Sequence, residues 1–386
     1  MSNPASSLLG LAIGALALIA SGGCRKASRT APVPPPSASV RVESVRVVSD
    51  DELSSPSAFE LVVGPAGLGL VWADSRTGPG WLFEAGLSQD GTLRSRARRV
   101  PVPARTLGKV TDLSATYLGA DLALAWVEQG ASEARALATV VNGPSPPLVD
   151  LGAAAVSAES ARGNLVMVAE EARDRALVLW RGLAAPCVVP QTAPCVGFTF
   201  RRLRAGLAEA TGIPLSVPVS CASHSVELSV SPGRFHYGVC TREGPDPVTT
   251  MFTIQYAPEY ARAEPLLKGC LPLGTIEADG RPWLVADCHG KRKAVLVPLN
   301  DERVEPEAID GLKINCTPER ALLQKGRFSL SLREPRAGLE AILPANLLPS
   351  GGRAGWTGKS LVVAYLGASR LTTRTYACRA GTLQPL

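Results

Sequence analysis

The sequence predicts an all-β fold made of repeated four-stranded units. Three observations support this: a short segment recurs seven times, hairpin-type turns follow it at a nearly fixed distance, and turn-forming residues are frequent, with 37 Gly and 32 Pro in 386 residues. A hydrophobic content of 46% is enough to bury a core at this length. The composition therefore excludes collagen-like, coiled-coil and fully disordered chains.

The recurring segment is a Gly-containing turn followed by an apolar strand that ends in a polar or acidic residue. Its turn glycines are Gly67, Gly119, Gly163, Gly233, Gly280, Gly326 and Gly358. Hairpin-type turns follow 15 to 18 residues after Trp72, Trp126 and Val285 of the repeat strands, at Asp90-Gly91, Asn142-Gly143 and Asn300-Asp301. The mean period of about 48 residues suits one four-stranded propeller blade for each repeat.

Stacking of the repeats predicts a ring of blades, and the uneven spacing between the copies predicts where that ring has an insertion and how it closes. One blade cannot bury both of its faces, whereas blades stacked in a ring can, so we expect a single closed β-propeller of seven four-stranded blades, with six as the alternative. The long spacing before Gly233 predicts an insertion over residues 183–215, with a helix at Phe200–Ala210. The short spacing before Gly358 predicts that residues 40–48, which alternate apolar and polar, supply the last blade with a strand.

The first copy also resembles a known repeat. Residues 57–93 contain the elements VWADSR, from Val71 to Arg76, and Asp90-Gly91. This stretch resembles repeats of exported bacterial β-propeller proteins, while the other copies match more loosely. The resemblance implies a propeller in an exported protein.

The N-terminal residues predict export and a lipid anchor. Leu8–Ala20 is an apolar run with the length of a signal-peptide core, and small residues lead from it to Cys24. This pattern resembles the lipobox of bacterial lipoproteins, in which the cysteine carries the lipid. We therefore expect a signal peptide over residues 1–23, lipidation of Cys24, a Pro/Ser/Ala-rich tether over 24–39 and the propeller over 40–386. Plain secretory cleavage and a buried helix are the alternatives.

The nine cysteines predict four disulfides once Cys24 carries a lipid. Residues equidistant from a hairpin turn face one another in antiparallel strands, which pairs Cys221 with Cys240 and Cys270 with Cys288. By elimination the remaining pairs are Cys187 with Cys195 and Cys316 with Cys378. No CxxC spacing or ligand-like histidine spacing is present, so we expect neither a metal nor a cofactor.

Acidic residues recur in register in the strand that precedes the repeat strand. They stand six or seven residues before the turn glycine, at Glu60, Asp112, Glu227 and Glu319. Because this strand would be innermost, their carboxylates could line a central channel and bind a cation or an amine. The alternative is that each pairs with an arginine of the neighbouring blade or faces the edge of the core.

A second set of acids and two clusters of arginines are expected to have structural roles. A second acid set ends the repeat strands and is expected to cap turns, at Asp74, Glu128, Glu170 and Asp287. Two basic clusters are expected on solvated surfaces, at Arg94, Arg96, Arg98 and Arg99 and at Arg201, Arg202 and Arg204.

These features favour a binding protein over an enzyme. The sequence has no GxSxG nucleophile elbow, phosphate loop or dinucleotide fingerprint. We expect a monomeric, non-enzymatic binding or scaffolding module, anchored in the bacterial cell envelope, with an envelope protein or glycan as partner. A glycan-active enzyme and a purely structural module are the alternatives. The net charge of +6 is too small and scattered to predict nucleic-acid binding.

Overall fold

The computed structural model describes most of the chain from residue 46 onwards. The described ranges are 46–47, 56–74, 81–94, 96–102, 108–155, 165–170, 172–182, 196–204, 207–219, 230–231, 236–242, 248–256, 259–278, 281–288, 293–299, 307–309, 313–317, 321–325, 328–331, 342–343, 347–349, 352–367 and 370–386. Residues 42–386 form one compact unit, to which the following description applies. The predicted signal peptide, Cys24 and the predicted tether lie outside the described residues.

Within these ranges the chain forms antiparallel sheets from strands that follow one another in sequence. The first short strand is β1 (Arg46–Val47). The first sheet contains β2 (Pro56–Gly64), β3 (Gly67–Asp74), β4 (Trp81–Gly86) and β5 (Arg98–Arg99). The second contains β6 (Lys109–Leu118), β7 (Asp121–Gln129), β8 (Ala134–Val141) and β9 (Val149–Ala154). The third contains β10 (Leu165–Ala169), β11 (Arg175–Gly182), β12 (Val196–Arg204) and β13 (Leu207–Val219).

The second half of the chain continues this order. The fourth sheet contains β14 (Val230–Ser231), β15 (His236–Arg242), β16 (Val248–Tyr256) and β17 (Glu259–Lys268). The fifth contains β18 (Cys270–Ala278), β19 (Arg281–Cys288), β20 (Lys293–Pro298) and β21 (Glu307–Ala308). The sixth contains β22 (Lys313–Cys316), β23 (Ala321–Lys325) and β24 (Phe328–Ser331). The seventh contains β25 (Arg353–Trp356), β26 (Ser360–Gly367), β27 (Arg370–Arg379), β28 (Thr382–Pro385) and β1.

The arrangement is all-β and propeller-like, as the sequence predicts, with five four-stranded blades. The sixth sheet has three described strands and the seventh has five, and each sheet is open. The prediction of seven four-stranded blades is therefore not supported as stated.

Apolar runs become the strands that are covered on both faces. β3, β7 and β11 each lie between two strands of their own sheet and between neighbouring sheets, which explains why their sequences are apolar rather than alternating. Trp72, Trp126 and Trp180 are buried in these strands. The recurring segments thus place the largest side chains in the layers between sheets.

Side chains pack between sheets that are consecutive in the chain. Val71 of the first sheet packs with Trp126 of the second, and Val178 of the third packs with Ala136 of the second. Leu70 of the first sheet shares a cluster with Val362 of the seventh. The first and last sheets are therefore neighbours in space.

The predicted helix at Phe200–Ala210 is wrong, whereas the predicted insertion over 183–215 stays a prediction because residues 183–195 lie outside the described residues. Residues 196–204 and 207–219 are β12 and β13, the two outer strands of the third sheet. Phe198 and Phe200 follow the two-residue period of a strand, and Leu203, which pairs with Ala176 of β11, lies on the opposite face in the core shared with the second sheet. The four-residue spacing of Leu203 and Leu207 arises from two paired strands and not from one helix face.

The repeat pattern predicts the wrong strand position for two of the copies. The copy at Gly163 supplies β10, which is the first strand of its sheet, and the copy at Gly326 supplies β24, which is the third. The other copies with described strands supply second strands. The spacing of 70 residues before Gly233 therefore includes a change of strand position, from the first strand of the third sheet to the second strand of the fourth.

The N-terminal strand joins the C-terminal sheet. Arg46 and Val47 pair with Thr373 and Thr372 of β27. Because β26 occupies one edge of β27, β1 and β28 share the other edge. The predicted contribution of residues 40–48 to the last blade is confirmed for 46–47, and the rest of that segment lies outside the described residues.

Two predicted disulfides are confirmed. Cys270 and Cys288 stand directly opposite each other on β18 and β19, with their Cα atoms 4.0 Å apart. Cys316 of the sixth sheet is bonded to Cys378 of the seventh, with a Cα separation of 5.7 Å. Cys187, Cys195, Cys221 and the side chain of Cys240 lie outside the described residues, so their pairing stays a prediction.

Candidate functional site

Glu60 forms an ion pair between the first and last sheets. It lies on β2, the first strand of its sheet, and accepts a hydrogen bond from Arg353 on β25, with Nε and Oε1 3.0 Å apart. Both side chains are mostly buried, at 15% and 17% exposure. Glu60 therefore has the neighbouring-sheet arginine that the structural alternative requires.

Asp112 connects the second and third sheets. One carboxylate oxygen accepts a hydrogen bond from the backbone N–H of Leu165 on β10, at 3.2 Å, and the other accepts one from Leu113 N–H, at 2.9 Å. Two residues further along β6, Ser114 accepts a hydrogen bond from Met167 N–H at 3.0 Å. Because β10 is the first strand of its sheet, side chains of β6 supply the acceptors that a further strand would otherwise provide.

A bulge explains how Asp112 reaches its neighbour. The register between β6 and β7 shifts between Val110 and Asp112. Such an irregularity re-aims the side chains that follow it. The structure therefore places Asp112 in the junction between two sheets, where it is 7% exposed.

The four predicted ligand-binding acids do not form a described cluster. Glu60 and Asp112 lie at different junctions between sheets, and their described contacts are internal. Glu227 and Glu319 lie outside the described residues. The role of the four acids in binding a cation stays a prediction.

The acids at the strand ends also bond to neighbouring side chains. Glu128 accepts a hydrogen bond from Trp126 Nε1 at 3.2 Å. Glu170 receives two hydrogen bonds from the guanidinium of Arg202, one of them with Nη2 and Oε2 2.7 Å apart. These two carboxylates thus bond to side chains at the ends of strands, and the capping of turn N–H groups by the four acids stays a prediction.

The first basic cluster covers the outer strand of the first sheet. Arg98 pairs with Glu84, and Arg99 stacks over the ring of Trp81 at 3.5 Å from its centroid. Arg94 donates a hydrogen bond to the carbonyl of Ala66. Arg98 and Arg99 are exposed, as expected for a solvated outer strand.

Sequence reasoning missed Arg181. This arginine lies near the end of β11, is 6% exposed, and has two buried guanidinium nitrogens, Nε and Nη1, that have no hydrogen-bond partner in the described structure. Burial lowers the pKa of the guanidinium. The available signal was strand alternation, which places Arg181 on the same face as the apolar Leu177 and Leu179.

The described residues offer neither a metal-binding cluster nor a membrane-spanning helix. Among the residues that the structure describes, no three His, Cys, Asp or Glu side chains are grouped so that they could hold a metal ion. In the same ranges, no helix has the length and apolar character needed to cross a bilayer.

Comparisons with known proteins do not assign a family. No protein-family model matches the chain, and no curated protein matches it. The chain is similar to the solved structure of Penicillium chrysogenum α-L-arabinanase complexed with arabinobiose, with 9% identity over 88% of this chain and 100% of that one, at a TM-score of 0.42. It is also similar to prolyl oligopeptidase B from Galerina marginata, with 8% identity over 87% of this chain and 52% of that one, at a TM-score of 0.47.

A third similar structure is Kuenenia stuttgartiensis hydrazine synthase, with 12% identity, 86% and 79% coverage of the two chains and a TM-score of 0.39. Likenesses this distant carry no argument about activity. The propeller-like arrangement described here therefore stands on the strand order, and the candidate site stands on the side-chain contacts.

Proposed function

We propose that the chain is a monomeric, non-enzymatic binding module that is exported and anchored in the bacterial cell envelope through a lipid on Cys24. Its partner is an envelope protein or glycan. The scaffold is a closed ring of the seven sheets.

Contacts between the sheets support the closed ring. Strand contacts link each sheet to the next, from β2 with β6 in the first pair to β22 with β28 in the sixth. β2 and β25 then connect the first sheet to the seventh. A ring of this kind leaves only short sheet edges exposed, and short edges limit aggregation through pairing with other chains.

The structural contacts of four acidic residues support a non-enzymatic role, and this observation carries the proposal. Hydrolysis of a glycan commonly needs two carboxylates that flank the scissile bond. Among the acids that the sequence singled out, Glu60, Asp112, Glu128 and Glu170 all have structural partners. The described contacts of these four carboxylates are internal to the fold, which does not match the arrangement of such a catalytic pair.

The two disulfides support export. Structural disulfides persist in oxidising compartments and are rare in the cytosol. Together with the apolar run Leu8–Ala20 and the following Cys24, they favour an extracytoplasmic address.

One experiment in intact cells tests the anchor and the binding role together. Cells that produce the wild-type chain or Cys24→Ala are labelled with a fatty acid and treated with a crosslinker. We expect the wild type to carry the label and to crosslink to an envelope protein or glycan, and Cys24→Ala to lose the label. Equal labelling of both chains would contradict the anchor.

A separate assay tests the enzymatic alternative. The purified chain is incubated with envelope polysaccharide, and released reducing sugar is measured beside a Glu60→Gln variant. We expect no release from either protein. Sugar release that Glu60→Gln abolishes would contradict the non-enzymatic proposal.

A further inference from the structure

Arg181 carries a buried positive charge, and two nitrogens of its guanidinium have no partner among the described residues. Its Nε and Nη1 atoms are buried and make no hydrogen bond in the described structure, and the side chain is 6% exposed. An arginine cannot escape this situation by losing its proton, because its pKa is too high in proteins. Leaving such a charge buried and unpaired is strongly unfavourable.

Other partly buried arginines have carboxylate partners, either in the neighbouring sheet or in their own. Arg353 pairs with Glu60 at 3.0 Å, Arg202 pairs with Glu170, and Arg135 approaches Asp150 at 2.7 Å. All three are more exposed than Arg181, with side-chain exposures of 17%, 22% and 30%. Arg181 is the most deeply buried guanidinium of this set, and no described ion pair gives it the anion that the others have.

The side chain of Arg181 lies on the face of β11 that is turned towards the junction of the third and fourth sheets. On β11, Val178 and Trp180 pack in the core shared with the second sheet. Because side chains alternate along a strand, Leu179 and Arg181 lie on the opposite face. Strand contacts between β10 and β14 and between β13 and β17 place the fourth sheet on that side.

The surroundings of Arg181 on its own sheet are apolar. Its directly paired residue on β12 is Phe198, and Phe200 follows two residues later opposite Leu179. These three side chains are fully buried. They exclude water from the guanidinium and strengthen any electrostatic interaction made there.

We propose that Arg181 binds a compact oxyanion, of the carboxylate or phosphate type, which a small ligand presents at the junction of the third and fourth sheets. A guanidinium offers two forks of N–H groups, Nε with Nη2 and Nη1 with Nη2, and each fork matches two oxygens of such a group. In Arg181, Nε and Nη1 are the donors, one on each fork, that have no partner in the described structure. This inference rests on the proposed binding function and names the chemistry of its ligand.

Anion titration of the purified full chain tests the proposal. The melting temperature is measured with increasing sodium acetate in one arm and sodium phosphate in the other, with sodium chloride maintaining constant ionic strength. We expect at least one anion to raise the melting temperature saturably, because a ligand that binds only the folded chain stabilises it. The effective arm distinguishes a planar carboxylate from a tetrahedral oxyanion.

Variants separate the site from general charge effects. Arg181→Met removes the donors and should abolish the anion response, whereas Arg204→Met, at an exposed position on β12, should keep it. Arg181→Lys retains the charge without the fork and should bind the anion at least about tenfold more weakly. It also provides a test if Arg181→Met does not fold.

The proposal is overturned if both anions leave the wild-type melting temperature at its chloride value. It is also overturned if the variants at residue 181 respond as the wild type does. Neither result affects the crosslinking and sugar-release assays, so failure of the oxyanion site is distinguishable from failure of the binding function.

Discussion

Glu60 and Arg353, which are 293 residues apart in the chain, form an ion pair with a 3.0 Å distance between Oε1 and Nε. One lies on the first strand of the first sheet and the other on the first strand of the last sheet. The pair connects the first and last sheets, where the two ends of the chain meet. Asp112 makes a similar link between the second and third sheets.

A second link joins the same two sheets through a turn. Thr375 of β27 donates a hydrogen bond to the carbonyl of Asp90 at 2.7 Å, and Thr373 donates one to the carbonyl of Gly91 at 3.0 Å. Both threonines are buried. The turn that the sequence marks as a repeat landmark therefore also contacts the last sheet.

Replacement of Glu60 by Gln should destabilise the protein. The change leaves the mostly buried Arg353 without its counter-ion, which we expect to cost about 1–3 kcal/mol in the free energy of unfolding. Urea unfolding measures the effect, with Glu133→Gln as a control because Glu133 is 57% exposed and 3.8 Å from Arg135. Unchanged or increased stability in Glu60→Gln would instead support the predicted ligand-binding role of this acid.

Replacement of Gly91 by Ala should be more harmful than the same change at Gly119. Both glycines have positive φ angles, 77° and 61°, so both substitutions strain the backbone. At Gly91 the new Cβ would also lie 2.3 Å from Oγ1 of Thr375, whereas at Gly119 it would meet nothing within 4 Å. We expect thermal or urea unfolding to show an additional loss of at least about 1 kcal/mol at Gly91. Equal losses would mean that the contact with β27 is not tight in solution.

Sequence reasoning predicted features that depend on local pattern. The apolar runs after Gly67 and Gly119 became strands covered on both faces, because two-sided burial leaves a strong local signal. Equidistance from a turn was sufficient to pair Cys270 with Cys288, because antiparallel pairing converts sequence distance into spatial register.

Features that depend on distant partners could not be predicted in the same way. Nothing near Glu60 indicates an arginine 293 residues later, and the spacing of Leu203 and Leu207 fits one helix face until the two residues are known to lie on paired strands. Arg181 required knowledge of which carboxylates are already paired. The candidate site was therefore less predictable than the fold.

Removal of the Cys316–Cys378 bond should cost more stability than removal of Cys270–Cys288. The first closes a loop with a sequence separation of 62 and the second one of 18. In the chain-entropy model these loops correspond to about 4 and about 3 kcal/mol. Urea unfolding of the two double Cys→Ala variants provides the measurement. The reverse order would show that strain or residual structure, and not loop length, determines the effect.

Deletion of residues 40–48 should lower the melting temperature. The deletion removes β1 and exposes the part of the β27 edge that pairs with Arg46 and Val47. A matched control deletes nine residues of the predicted tether, 28–36, and should leave the melting temperature unchanged. Equal melting temperatures for the two deletion variants would argue against a stabilising role for the N-terminal strand.

Replacement of Tyr117 by Phe should reduce the loss of stability at high pH. The ring lies against Gly64, where an added Cβ would come within 2.7 Å of its Cε2 atom, so β6 and β2 approach closely at this point. Burial, followed by the negative charge of Glu84, raises the pKa of Tyr117 above its ordinary value of 10.0.

The folded chain therefore holds this proton more tightly than the unfolded chain does. The resulting stabilisation is fully present below the unfolded pKa and decreases as pH rises from there through the folded pKa. Urea unfolding at several alkaline pH values should show a shallower decline for Tyr117→Phe than for the wild type, and Tyr376→Phe, which removes another tyrosine with a raised pKa, should have a similar effect. Parallel declines in the wild type and Tyr117→Phe would show that ionisation of Tyr117 is not coupled to unfolding.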